Sequence, residues 1–206
     1  MASTAIYSVA GISFILVALL FHFATKSSCG EKSKSIVTKT FSERKPIVST
    51  FVSTKIKGTA DGVFSAIMDY ESYPTWSPST EYTWEDTDSE GVPVVGSIGT
   101  FKVTVDFATR IVPVQMKILD RKNRLVAEES ILYPNWLLRS ERVQEVVPID
   151  GEPGFCEYRT QHNLYGLASY YLLLTSKEDL VDLQNQYAGD LKFLVEGKMR
   201  FKSAKR

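Results

Sequence analysis

Hydrophobic and polar positions divide the chain into stretches of unlike pattern. From Ala5 to Ala24 there is no Asp, Glu, Lys or Arg, about the length an α-helix needs to cross a hydrocarbon core. Ile12, Phe14, Ile15, Leu16, Val17, Leu19 and Leu20 fill its middle, and each favours insertion there. Met1 to Thr4 carry no basic residue, and the apolar run is longer than the core of a secretory leader. Residues 1–25 are therefore predicted to be a transmembrane helix that stays on the chain as an anchor. Residues 26–46 are rich in Ser, Thr and Lys without an apolar period, which predicts a flexible tether. Lys26, Lys32, Lys34, Lys39, Arg44 and Lys45 follow the apolar run and no basic residue precedes it. The positive-inside rule then turns the rest of the chain toward the cytosol.

Residues 47–200 carry the periods of a folded domain. Between Ile47 and Lys57, β-branched residues alternate with polar ones, which predicts a strand. Thr59 is placed to cap a helix in which Val63, Phe64, Ile67 and Met68 recur at helical spacing. Pro74 and Pro78 limit the following stretch to a short helix or turn. Strands are predicted at 81–86, 97–107, 112–119, 125–131, 136–147 and 155–164. The turn signals Asp88-Ser89-Glu90-Gly91, Asp120-Arg121-Lys122-Asn123, Tyr133-Pro134-Asn135 and Asp150-Gly151-Glu152-Pro153-Gly154 separate most of them. Short connections imply an antiparallel meander. Leu180, Leu183, Tyr187, Ala188, Leu191, Leu194 and Val195 then form one helical stripe, with Thr175 and Glu178 as a possible capping box. The fold class is α+β: a curved antiparallel sheet wrapped around a long C-terminal helix, plus the N-terminal transmembrane helix.

Composition changes this picture little. Lys plus Arg equals Asp plus Glu at 24 each among 206 residues, so no global field argues for nucleic acid as a partner. Aromatic residues at 12% suit a core or cavity lined by large rings. Cys29 and Cys156 are far apart and form no disulfide framework. Residues 201–206 continue a basic tail that follows Lys198 and Arg200, a possible second contact with anionic lipid.

The order of elements and several motifs resemble the START-related, Bet v 1-like superfamily with its helix-grip fold, within it the polyketide cyclase/dehydrase and lipid-transport branch. The resemblance rests on Ala60-Asp61-Gly62-Val63-Phe64, the run from Asp69-Tyr70 through Tyr73-Pro74 and Trp76 to Pro78, Arg124-Leu125-Val126, the stretch Trp136–Arg142, Tyr165-Gly166, and Leu191-Lys192 with Glu196. It spans about residues 47–200. It implies a hydrophobic small molecule or lipid held between sheet and C-terminal helix, and it names no ligand.

Candidate site residues follow from parity on the elements that would face this cavity. Phe101, Val103 and Val105 share one face of their strand; Trp136 and Arg142 share another; Tyr158, Thr160 and His162 share a third; Tyr187 and Leu191 lie on the helical stripe. Tyr73 and Trp76 stand after the first helix as cavity guards or core caps. Arg142 is expected to meet a ligand carboxylate or a buried Glu such as Glu129, while Arg139, Glu141 and Glu145 are expected to form a solvated ladder. His162 reads as a core histidine or as a general base. No catalytic set, metal-ligand spacing or cofactor motif is present. Three functions stay open: a membrane-tethered carrier of a hydrophobic ligand, an enzyme on a hydrophobic substrate using His162, Tyr158, Arg142 and Glu129, and an interaction module with a filled core.

Overall fold

The computed structural model describes residues 35–105 and 108–197. The anchor expected at residues 5–24, the first part of the expected tether and residues 198–206 lie outside the described residues, as does Phe107. Among those described, no helix is long and apolar enough to cross a membrane.

Seven strands form one antiparallel sheet in the order β1-β7-β6-β5-β4-β3-β2. They are β1 (Val48–Lys57), β2 (Thr80–Trp84), β3 (Ile98–Val105), β4 (Ala108–Asp120), β5 (Leu125–Ser130), β6 (Arg139–Pro148) and β7 (Phe155–Tyr165). β2 to β7 run as a meander, and β1 pairs with β7 in register from Val48 opposite Leu164 to Lys57 opposite Phe155. Five α-helices and one 3-10 turn (Tyr70–Ser72) accompany the described sheet: α1 (Lys39–Glu43), α2 (Ala60–Met68), α3 (Tyr73–Trp76), α4 (Ala168–Thr175) and α5 (Lys177–Val195).

Local chemistry sets these boundaries. The Thr59 side chain accepts the Gly62 backbone N–H at 3.1 Å and caps α2. A bulge in β4 between Met116 and Ile118 puts Lys117 in solvent while Met116 and Leu119 both face the core. The expected capping box at Thr175 does not form: α5 begins after Ser176, and the Thr175 hydroxyl donates to Tyr171 O at 3.0 Å. The strand expected from Trp136 starts only at Arg139. Pro134 draws the chain into a turn, with Leu137 N and Leu138 N donating to its carbonyl at 2.9 and 3.1 Å.

The main core lies between the concave face and helices α2 and α5. Ile56, Val63, Ile67, Tyr73, Met116, Tyr158 and Leu191 are fully buried there. At about 25 cal/mol per Å² of apolar surface, each such side chain contributes roughly 1.5–3 kcal/mol.

The convex face is also covered. Ile36 packs on Ala127 and Val143, and its N–H donates to Gln161 Oε1 at 2.7 Å. The Thr38 hydroxyl donates to Glu141 Oε1 at 3.0 Å. Residues 36–43, read from sequence as tether, are thus fastened to the sheet from Ile36 to Thr38 and helical from Lys39 to Glu43. Glu141 is correspondingly not part of a solvated ladder: it is 2% exposed and accepts from Thr38, Asn163 and Tyr165.

Candidate functional site

A cavity of about 280 Å³ opens between the sheet and α4–α5. β3 and β4 supply Phe101, Val103, Val112 and Val114; the helices supply Leu172, Leu180 and Leu183. Polar groups enter from the alternating inward positions of the next three strands: Glu128 and Ser130, Ser140 and Arg142, and His162. A second cavity of about 40 Å³ adjoins it, sharing Phe101, Arg142, His162, Leu180 and Leu183 and adding Ser77, Gln184 and Tyr187. The combination of apolar walls and a few grouped polar side chains is that of a small-molecule site, near the small end of the usual range.

Cross-strand register builds the polar group. Glu128 stands opposite Arg142, and Arg142 opposite His162. Arg142 Nη1 lies 3.6 Å from Glu128 Oε1 and donates to the Tyr82 hydroxyl at 2.9 Å. Tyr82 in turn donates to Glu128 Oε1 at 2.5 Å. The guanidinium also sits 4.4 Å from the Tyr187 ring centroid, a favourable cation–π position. Burial raises the Glu128 pKa, an effect opposed by the Arg142 charge and the Tyr82 hydrogen bond. Burial likewise keeps Tyr82 and Tyr187 protonated, their pKa values raised well above the usual phenol range. Arg142 and Glu128 thus stand as one buried pair of opposite charge type.

His162 shares a short hydrogen bond of 2.5 Å with the Ser140 hydroxyl through Nε2. Burial first, and the Arg142 charge second, lower its pKa to about 4, so the ring is neutral at pH 7. A hydroxyl bonded to a neutral imidazole is the first half of a nucleophile–base arrangement. Among the described residues no carboxylate is hydrogen-bonded to that ring, and no group of acidic, His or Cys side chains could hold a metal ion.

The residues proposed from sequence separate into three sets. Phe101, Val103, Arg142 and His162 line the larger cavity, and Tyr187 lines the smaller. Tyr73, Tyr158, Thr160 and Leu191 are core: Tyr73 donates to Ile67 O or shares its proton with the Tyr187 hydroxyl at 2.7 Å, and Tyr158 donates to Gln144 Oε1. Trp76 packs on Tyr73 and Tyr187 and donates to Ser72 Oγ. Trp136 is 65% exposed because its turn carries it off the sheet. The side chain of Val105 lies outside the described set. The carboxylate beside Arg142 is Glu128, whereas Glu129 faces the other side and pairs with Arg139 at 2.6 Å. Ser77, Glu128, Ser140 and Gln184 are site residues that the sequence reading missed. Glu128 and Ser140 were available from strand parity once either neighbour had been assigned a face.

No protein-family model and no curated protein matches this chain. Solved structures do. A START superfamily protein from Mycobacterium smegmatis superposes with a TM-score of 0.57 at 13% identity, over 73% of this chain and 99% of its own. Norcoclaurine synthase from Thalictrum flavum gives 0.55 at 13% identity, over 72% and 94%. The Zhui aromatase/cyclase from a Streptomyces gives 0.53 at 14% identity, over 72% and 95%. At these identities the likeness is one of fold.

Proposed function

From the START/Bet v 1-like helix-grip fold that this chain carries, we propose that it binds a hydrophobic small molecule or lipid between sheet and C-terminal helix. The observation that carries this reading is the 280 Å³ cavity, walled by Val and Leu side chains and ended by a polar group that includes the Arg142–Glu128 pair. A filled core, as an interaction module has, would leave no such space. The volume is that of about nine water molecules in the liquid, which suits one compact ligand or a single chain.

In the same proposal residues 5–24 tether the domain to a membrane, with the domain on the cytosolic side. One feature near the cavity supports a membrane role. Leu132, Tyr133 and Leu172 line it, and beside them Trp136, Leu167, Tyr171 and Leu174 are each at least 62% exposed. Leu167, Tyr171 and Leu174 make one outward helical stripe. Residues 131–138 and 163–176 contain no charged side chain. Gly166, at φ 94°, lets α4 close on the 131–138 turn, where a Cβ would stand 2.7 Å from Leu137 O. This Trp, Tyr and Leu side of the rim, with Arg110 and Asp179 on the lining elsewhere, has the composition that settles at a lipid–water interface.

The test is uptake of an alkyl-chain fluorescent probe by the full chain in phosphatidylcholine nanodiscs. Val112→Trp with Leu183→Trp fills the cavity and should abolish saturable uptake while circular dichroism stays unchanged. Uptake that persists in a folded, filled variant would overturn the reading. An enzyme on a hydrophobic substrate is the second reading, and the Ser140–His162 hydrogen bond is what favours it. Covalent labelling of Ser140 by an alkyl fluorophosphonate, in which the serine oxygen displaces fluoride from phosphorus, would select the enzyme if it is lost in H162Q.

A further inference from the structure

The smaller cavity holds two buried polar side chains that the fold itself does not satisfy. Gln184 is 4% exposed, projects from the inner face of α5, and has no hydrogen-bond partner on either amide atom among the described residues. Ser77, 1% exposed, follows α3 and is equally without a partner for its hydroxyl. Its neighbours have theirs: Tyr187 bonds Tyr73, and Arg142 bonds Tyr82 and Glu128. Buried polar groups in folded proteins are nearly always hydrogen-bonded. Two exceptions lining one 40 Å³ space that adjoins an apolar cavity are what a subsite for a polar end group presents.

We infer that Gln184 and Ser77 form the subsite for the polar end of the ligand, and that this end is a neutral hydroxyl. The inference rests on the cavity-binding reading and narrows its ligand class. Size favours a small end group, since the space is only about 40 Å³. A phosphate head is too large. The cation on the lining of this smaller cavity, Arg142, is already paired with Glu128, so the subsite itself requires no carboxylate. Donor and acceptor counts favour a hydroxyl, which gives one hydrogen bond to the Gln184 carbonyl and accepts from its amide or from Ser77. The remaining apolar body then lies along Phe101, Leu180 and Leu183, which line both cavities.

An amide held without partners in the empty protein and used only by the ligand has a two-sided signature. Gln184→Leu removes an unsatisfied buried group, so the empty protein should melt higher. The same change should weaken 1-decanol about tenfold, the loss of one to two hydrogen bonds, and leave decane within twofold. Ser77→Ala should weaken 1-decanol severalfold with the same selectivity. Titration of the full chain in phosphatidylcholine nanodiscs with 1-decanol, decanoic acid and decane measures these ratios, since partition into lipid cancels between variants. Preference for decanol over decanoic acid at pH 7 is also expected.

If Gln184→Leu lowers the melting temperature of the empty protein, the amide is structural, satisfied by a bound water, and the subsite is refuted. Equal weakening of decanol and decane refutes it too, as does a preference for decanoic acid. Decane bound with no gain for decanol overturns the subsite while the cavity reading stands. A wild-type chain that binds none of the three overturns both.

Discussion

Glu128 and Glu129 are consecutive residues on β5, both nearly buried, and they face opposite worlds. Glu129, on the convex side, pairs with Arg139 beside the Glu141 network, which is closed by Thr38, Asn163 and Tyr165. Glu128, on the concave side, pairs with Arg142 and Tyr82 at the wall of an open cavity. The convex network is covered by the chain's own residues 36–38. On the concave side the helices leave a cavity beside the pair, and among the described residues Gln184 and Ser77 have no hydrogen-bond partner there. A buried ion pair stabilises a fold little more than apolar packing would. The convex face uses its charges to hold a segment of this chain, and the concave face keeps its charges where a ligand would meet them.

The sharpest way to break this comparison is to unbalance the concave pair. Arg142→Met strands Glu128 in the interior and should cost about 3–5 kcal/mol of stability, read by denaturant unfolding. Adding Glu128→Leu should recover most of that loss without restoring ligand selectivity. A single variant as stable as wild type would mean the pair is not buried as described.

Acid should act next in size. His162 has a pKa of about 4 in the fold against 6.5 as its ordinary value. Below pH 6.5 the unfolded chain takes up a proton that the folded chain refuses until about pH 4. Stability is therefore complete above pH 6.5 and falls as the pH drops through that window, by at most about 3 kcal/mol. His162→Gln should flatten this part of the stability–pH curve.

On the convex face, Glu141→Ala removes the acceptor of three donors and should cost roughly 2–3 kcal/mol, with ligand affinity unchanged. Loss of ligand binding there would show that the two faces are coupled. The smallest effect is expected at the rim. Tyr171→Glu with Leu174→Glu, both exposed, should alter stability by less than about 0.5 kcal/mol. The pair should still slow exchange of ligand between protein and vesicles, measured by stopped-flow fluorescence.

Much of the fold was legible because periodicity reports on near neighbours. The alternation of β1, the Thr59 cap and the apolar stripe of α5 each depend on residues within a few turns or pleats, and each lies where expected except at Leu194, which is 42% exposed. What could not be read depends on distant partners. Ile36 and Thr38 are held by residues 125 and 103 positions away, so their stretch shows no local period. The faces of β5 turn on a single residue of phase, and the reading that matched Arg142 with Glu129 was wrong by that one step. Trp136 was assigned by parity with Arg142, a count the Pro134 turn interrupts. Gln184 looks like a polar gap in an apolar stripe, and only the cavity beside it gives that gap a meaning.

The central claim is that the cavity holds a hydrophobic ligand. Native mass spectrometry of the full chain, released from membranes in nanodiscs with organic extraction of what accompanies it, addresses that claim most directly. One small, hydroxyl-bearing hydrophobic species per chain is expected, absent from the Val112→Trp, Leu183→Trp variant. A chain that stays empty both when purified from its host cells and after exposure to a lipid panel would contradict it.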